Sequence, residues 1–329
     1  MRQAVAISGG PDAVAVLSLH HRVATSIERL RNRLHIELPL LAQDVSTWMD
    51  NIAPGGEAAN YLSDPLMFPI VQLPGWLLQT LTGRADADFL SDISYSTVSG
   101  YYQIRLLDNV RDSHGTIETS LLPAAGFFES EFRGIYEKYF HSGHPFWECF
   151  ESFWAASSAS VEKEAALRDM ELNDFHQIAA DKFAAAKIPL CAVAYRCQRP
   201  DVLPLWLDFC DEFARATQSL DDLFDWKDDL EGGRCTYFLS HAQRCKAVDE
   251  SVAALVIREG FSWGVQRFKE QTLVVLVRAV ELNSRELIQY LEQRELMLAA
   301  KLAPIQEGLE NLHRLQVILD NQNGDCTIL

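Results

Sequence analysis

The chain has 329 residues, 48% of them hydrophobic and 23% charged, with 46 Asp and Glu against 29 Lys and Arg and a formal net charge of -17. That length allows one large core or two modest ones, and the negative excess disfavours a nucleic-acid backbone or an anionic membrane surface as partner. Seven scattered cysteines without a CxxC pair, no basic-then-apolar leader and no run of about 18 uncharged apolar residues point to a cytoplasmic chain with reduced thiols and no stable membrane insertion.

In chain order the predicted elements are helices. Apolar residues recur at three- and four-residue spacing, and the alternation expected of a strand is hardly sustained anywhere. Residues 17–49 read as one or two helices interrupted near Pro39, and residues 66–82 as an apolar stretch broken at Pro69 and Pro74. A helix is predicted from about Val98 to Asp112, stopping at Ser113-His114-Gly115. Another covers roughly 145–155, where Phe146, Trp147, Phe150, Phe153 and Trp154 share one face; such stripes are more often core than ligand wall. Helix continues through 160–197 except around Pro189. After a turn at 198–201 it resumes from about Val202 to Asp229, ending at Gly232-Gly233. The tail, 280–318, is a long amphipathic helix. With no repeat, low-complexity linker or abrupt composition change, residues 1–329 read as one all-α domain, a helical bundle.

Two stretches concentrate acid. "QSLDDLFDWKDDLEGGR", residues 218–234, holds five aspartates between Asp221 and Asp229. On a helix Asp221, Asp225 and Asp228 fall at i, i+4 and i+7, and Asp222, Asp225 and Asp229 at i, i+3 and i+7, a carboxylate stripe about two turns long. Like charges at that spacing destabilise a helix, and Lys227 offsets only part of the repulsion. A hard divalent cation would relieve it, and Mg²⁺ takes one or two carboxylates plus phosphate oxygens and water. The bland alternative is a solvated face; the interleaved Leu220, Leu223 and Phe224 argue that part of this helix is buried instead. The second stretch, "YYQIRLLDNVRDSHG", residues 101–115, places Asp108 and Asp112 at i and i+4, with Arg105 and Tyr101 on the same face. Two acidic helix faces in an all-α chain suit a diphosphate held through metal ions.

These residues resemble a known family. "QSLDDLFDWKDDLEGGRCTYFL" is similar to the second aspartate-rich motif of the trans-isoprenyl diphosphate synthases, "LLDNVRD" sits where that class I isoprenoid synthase superfamily has its first motif, and "IAADKFAAAKIPLCAVA", residues 178–194, looks like its lysine-bearing helix. The resemblance covers roughly residues 95–240. It implies a single-domain helical bundle with a central apolar cavity, two acidic motifs facing each other across its mouth, and Mg²⁺ ions that bind the substrate diphosphate. By position it implies Asp108 and Asp112 as first-motif ligands and Asp221, Asp222 and Asp225 as the second set. Asp108, Asp112 and Asp222 carry the catalytic expectation. Gln218 stands one turn before the second set. Lys182 or Lys187 would contact the diphosphate, the spacing not deciding between them, with Arg105, Gln218, Lys227 and Arg234 as further diphosphate-binding candidates. Tyr101 and Tyr102 would face the cavity.

The chain also departs from the family. Elongating members carry DDxxD followed by two arginines; here the motif is Asp108-Asn109-Val110-Arg111-Asp112, then Ser113-His114-Gly115, and no N-terminal basic set offers itself to a second diphosphate. An enzyme that ionises one allylic diphosphate needs only one such site. The expectation is therefore a Mg²⁺-dependent terpene synthase, a cyclase or lyase acting on a linear prenyl diphosphate, with a homodimer left open. A trans-prenyltransferase and a non-catalytic helical relative are the alternatives. The last four residues, Cys326-Thr327-Ile328-Leu329, match a prenylation pattern without the upstream basic residues that usually accompany it.

Overall fold

The computed structural model describes residues 11–53, 56–84, 86–111 and 116–324. Among the described residues the chain is helix and turn with no strand, an all-α fold as the apolar spacing predicts. None of these helices is long and apolar enough to cross a membrane. The sequence reads as one domain; the contacts of the chain group it into two compact units, Met1–Glu151 with Ile188–Leu203, and Ser152–Lys187 with Pro204–Leu329.

The first unit contains α1 (Pro11–Glu37), α2 (Ala42–Asn51), α3 (Ala58–Leu62), α4 (Leu73–Thr82), α5 (Ala87–Arg111), α6 (Thr116–Leu121) and α7 (Pro123–Glu137). Next come α8 (Phe146–Ala166), whose residues belong partly to each unit, α9 (Leu172–Lys182) in the second and α10 (Ile188–Arg196) in the first. The second unit is completed by α11 (Leu203–Phe224), α12 (Trp226–Glu231), α13 (Tyr237–Cys245), α14 (Val252–Leu255), α15 (Phe261–Glu281) and α16 (Arg285–Gly324).

The prolines act as their chemistry requires. α1 stops two residues before Pro39, whereas α4 and α10 take Pro74 and Pro189 into their first turns, where no intrahelical N–H bond is lost. α5 begins at Ala87, a full eleven residues before the helix that the sequence predicts. Its first half buries Ser94, Ser96, Thr97 and Ser99 rather than a clean apolar stripe. Thr97 and Ser99 donate back to the carbonyls of Ile93 and Tyr95 at 2.8 and 2.9 Å, and Ser96 donates to Phe132 O on α7 at 2.8 Å. These bonds satisfy hydroxyls that burial would otherwise penalise.

The first unit's core joins Leu30 and Leu34 of α1, Trp48 and Met49 of α2, Tyr102 and Leu106 of α5 and Phe128 of α7. α5 and α7 approach closely at Gly100, where a Cβ would lie 2.9 Å from Phe132 Cδ2. In the second unit α11 buries Trp206, Phe209, Phe213, Leu220 and Leu223. α15 lies against it at Gly264, where a Cβ would meet Leu223 Cδ1 at 2.7 Å and Phe238 Cε2 at 2.8 Å.

Candidate functional site

The acidic stretch is not one unbroken helix to Asp229. α11 ends at Phe224, Asp225 takes φ -96° and ψ 5°, and α12 follows from Trp226. Crowded like charges weaken a helix at such a place, yet Asp225 N still donates to Asp221 O and Asp229 N to Asp225 O, both at 2.9 Å. The side chains therefore keep nearly helical order and divide by face. Asp221, Asp225 and Asp228 are exposed, while Asp222 and Asp229, seven residues apart, are buried.

α12 closes with the expected glycine pair. Gly233 adopts a left-handed φ of +65°, its N–H bonds Leu230 O at 3.2 Å, and Arg234 N bonds Asp229 O at 2.9 Å. This six-to-one and five-to-two pairing is a Schellman ending. It returns Arg234 to Asp229, and Arg234 Nη1 donates to Asp229 Oδ1 at 3.1 Å. Two residues on, Thr236 Oγ1 accepts from Leu239 N at 3.2 Å and caps α13.

Asp222 is the centre of the inward face. It is 4% exposed, and Gln218 Nε2, one turn earlier on α11, donates to its Oδ1 at 2.7 Å. Burial pushes its carboxyl up to about 7, with Asp221 and Asp229 pushing the same way and the Gln218 bond and the Lys182 charge pulling back. Asp229 is pushed up to about 6, again by burial, with Asp225 and Asp221 adding to it against Arg234 and Lys182. Asp225 is also raised, by partial burial and then by Asp228. The chain thus brings more negative charge to this face than its own cations neutralise.

The structure separates the two lysines. Lys182, at the end of α9, pairs with Glu164 at 2.7 Å, and its charge acts on both Asp222 and Asp229. Lys187 is buried, paired with Asp211 and placed 5.3 Å over the Phe153 ring, and it is not among the charges acting on Asp222. Lys227 lies in the open, 3.8 Å from Glu231. Sequence spacing alone did not single out Asp229, although it stands on the stripe; its signal was the glycine pair that turns Arg234 back onto it.

In the first unit, Asp108 is half-buried near the end of α5, beside the buried Asn109, and Arg105 is exposed with its charge acting on Tyr101. Asp112, four residues further on, lies outside the described residues, as does the Cys326–Leu329 tail. Tyr102 is interior, stacked on Phe128 at 5.7 Å and edge-on to Trp48 at 5.9 Å. Tyr101 is half-buried against Tyr61 and Tyr102. Of the aromatic stripe, Phe146 and Phe150 are core, packed on Tyr136 of α7.

Among the described residues no three His, Cys, Asp or Glu side chains converge as a ready-made metal cage, and the six cysteines described are free. No family model and no curated protein matches the chain.

Proposed function

We infer that the chain is a Mg²⁺-dependent class I terpene synthase, a lyase that ionises a linear prenyl diphosphate, built as an isoprenoid synthase bundle around an apolar cavity. The observation that carries this reading is the inward acidic face of α11. Asp222 is buried, gripped by Gln218 and within the field of Lys182, whereas an idle run of charge would face solvent. The donor set is all carboxylate oxygen, which suits a hard cation. Because Mg²⁺ uses one or two carboxylates and completes its shell with phosphate oxygens and water, the reading needs only one or two of Asp221, Asp222 and Asp225 at the ion.

When bound, the ion stabilises the charge that develops on the departing diphosphate. The remaining tasks fall to the chain. Gln218 fixes the rotamer of Asp222. Lys182 and Arg234 offer N–H donors to the phosphate oxygens as the allylic C–O bond breaks and those oxygens gain charge. Lys182 and Arg234 are chosen because their charges act on Asp222 or Asp229, whereas Lys187 is buried against Asp211 and Lys227 is exposed beside Glu231, so neither of these enters this reading. The resemblance adds Asp108 and Asp112 to the metal set, and gives Tyr101 and Tyr102 to the wall around the carbocation, where aromatic faces stabilise it and water must be excluded.

The test is to incubate the purified chain with Mg²⁺ and prenyl diphosphates of ten, fifteen, twenty and twenty-five carbons. Release of diphosphate with a hydrocarbon or terpene alcohol is expected from at least one. Release from none overturns the reading. A longer linear diphosphate formed only when isopentenyl diphosphate is added would make the chain a prenyltransferase instead.

A further inference from the structure

The second unit holds a buried charge whose hydrogen-bonding capacity is only partly used. Arg294 stands on α16 in register with Leu287, Leu291, Leu298 and Leu302, the three- and four-residue spacing of that helix's buried stripe, and is itself 3% exposed. Its guanidinium lies 4.9 Å over the Phe213 ring of α11, with Tyr290 of its own helix beside it. Its Nε and Nη2 are buried without a hydrogen-bond partner. A guanidinium is always charged, and buried charges are ordinarily paired.

The two unpartnered nitrogens share one edge of the planar group. Their N–H bonds run parallel, the fork that receives both oxygens of a carboxylate or two of a phosphate. Arg294 lines a cavity of about 70 Å³ whose other walls include Phe213 and Ala216 of α11, Phe268 and Val275 of α15, and Leu298 of α16. That is several times the space one water needs, and its walls are apolar apart from Arg294, Thr272 and the exposed Lys269 and Glu295. A group fitted to this place carries an oxyanion at one end and hydrocarbon at the other.

We propose that this cavity binds a small aliphatic oxyanion, a carboxylate or phosphate monoester with a short hydrocarbon tail, whose oxygens take the Nε–Nη2 edge of Arg294 and whose tail fills the space between α11, α15 and α16. The site is distinct from the acidic face. Gln218 follows Ala216 by two residues, about 200° around α11, so Asp222 and the cavity occupy opposite sides of the same helix. The proposal does not depend on prenyl diphosphate chemistry.

Calorimetric titration and thermal shift of the full-length chain with hexanoate, hexyl phosphate, 1-hexanol and inorganic phosphate test it. At least one hexyl oxyanion should bind about tenfold or more tightly than hexanol and inorganic phosphate, and the tighter of the two identifies the headgroup. Arg294→Met keeps the stem and removes the fork, and replacing a buried charge by an apolar side chain commonly preserves the fold. It should abolish that tenfold preference while leaving hexanol binding unchanged. Ala299→Trp, on the exposed rim of the same cavity, should block all hexyl ligands without touching the core. Asp222→Ala should leave hexanoate binding as it is, which separates this site from the acidic face. Equal binding of hexanol and the oxyanions, no binding of either oxyanion, an unchanged oxyanion preference in Arg294→Met, or wild-type hexyl binding in Ala299→Trp would each overturn the proposal.

Discussion

Replacing Asp222 by asparagine should make the metal-free protein more stable at neutral pH, and the gain should grow with pH. The Asp222 carboxyl is fully buried and its protonation midpoint is raised from 3.8 to about 7. Between those values the folded state holds a proton that the unfolded state has released. Wild-type stability therefore falls as pH rises through the window and is lowest above pH 7. At about 1.4 kcal/mol per pH unit, the charged carboxylate costs the fold about 4 kcal/mol at its far end. The amide introduced by Asp222→Asn keeps an oxygen for the 2.7 Å bond from Gln218 Nε2 but does not titrate. A buried amide N–H₂ left unpaired would subtract about 1–3 kcal/mol, the same at every pH. The slope of the difference is thus the clean signal. Urea unfolding of both proteins in EDTA at pH 4, 5, 6, 7 and 8 measures it. A difference that stays flat across the series would refute the reasoning, because it would mean that Asp222 is ionised in the folded state without penalty.

Asp108→Ala and Asp222→Ala should each lower kcat for diphosphate release by about 100-fold or more, the usual cost of losing one group that stabilises transition-state charge; near-normal turnover in both would leave them as structural carboxylates. Lys182→Met and Lys187→Met should part company. Lys182→Met is expected to impair turnover with little loss of stability, whereas Lys187→Met leaves Asp211 unpaired beside a buried site and should destabilise by about 3 kcal/mol in a urea titration. Gly100→Ala sets a Cβ 2.9 Å from the Phe132 ring and should cost about 1–3 kcal/mol, with much of the loss recovered when Phe132→Leu makes room; an uncoupled double mutant would show that the helices shift apart freely.

The helical class was legible because apolar spacing and proline placement agree along most of the chain, as at α4 and α10. The early half of α5 was not, since Ser96, Thr97 and Ser99 bury hydroxyls that bond to carbonyls, and a pattern read from apolar residues passes over them. Within the acidic stretch the spacing showed a stripe but not which side of it turns inward. That depends on the small break at Asp225 and on the Schellman ending that ties Arg234 to Asp229. Spacing could not separate the surroundings of Lys182 and Lys187 either, because these depend on partners 18 and 24 residues away, Glu164 and Asp211. Arg294 had a sequence signal that went unread: a charged residue on the leucine stripe of a long amphipathic helix.

α11 explains how one helix tolerates both sites. Its apolar side, through Trp206, Phe209, Phe213 and Leu220, secures it in the second unit, and the burial of each such side chain contributes about 1.5–3 kcal/mol. That reserve is what lets the same helix carry Asp222, whose charge burial opposes, and lets Phe213 support the guanidinium of Arg294 through its ring face. Selection for stability alone would replace such groups, since apolar residues in place of buried charges are often neutral or stabilising. Retaining both leaves the protein less stable than its core would allow, and a ligand that prefers the folded state would add its own free energy to folding. Under the two proposals made above, the ligands on the side of Asp222 and on the side of Arg294 would each add to the stability of the folded state, and both gains can be read as ligand-dependent shifts in the urea midpoint.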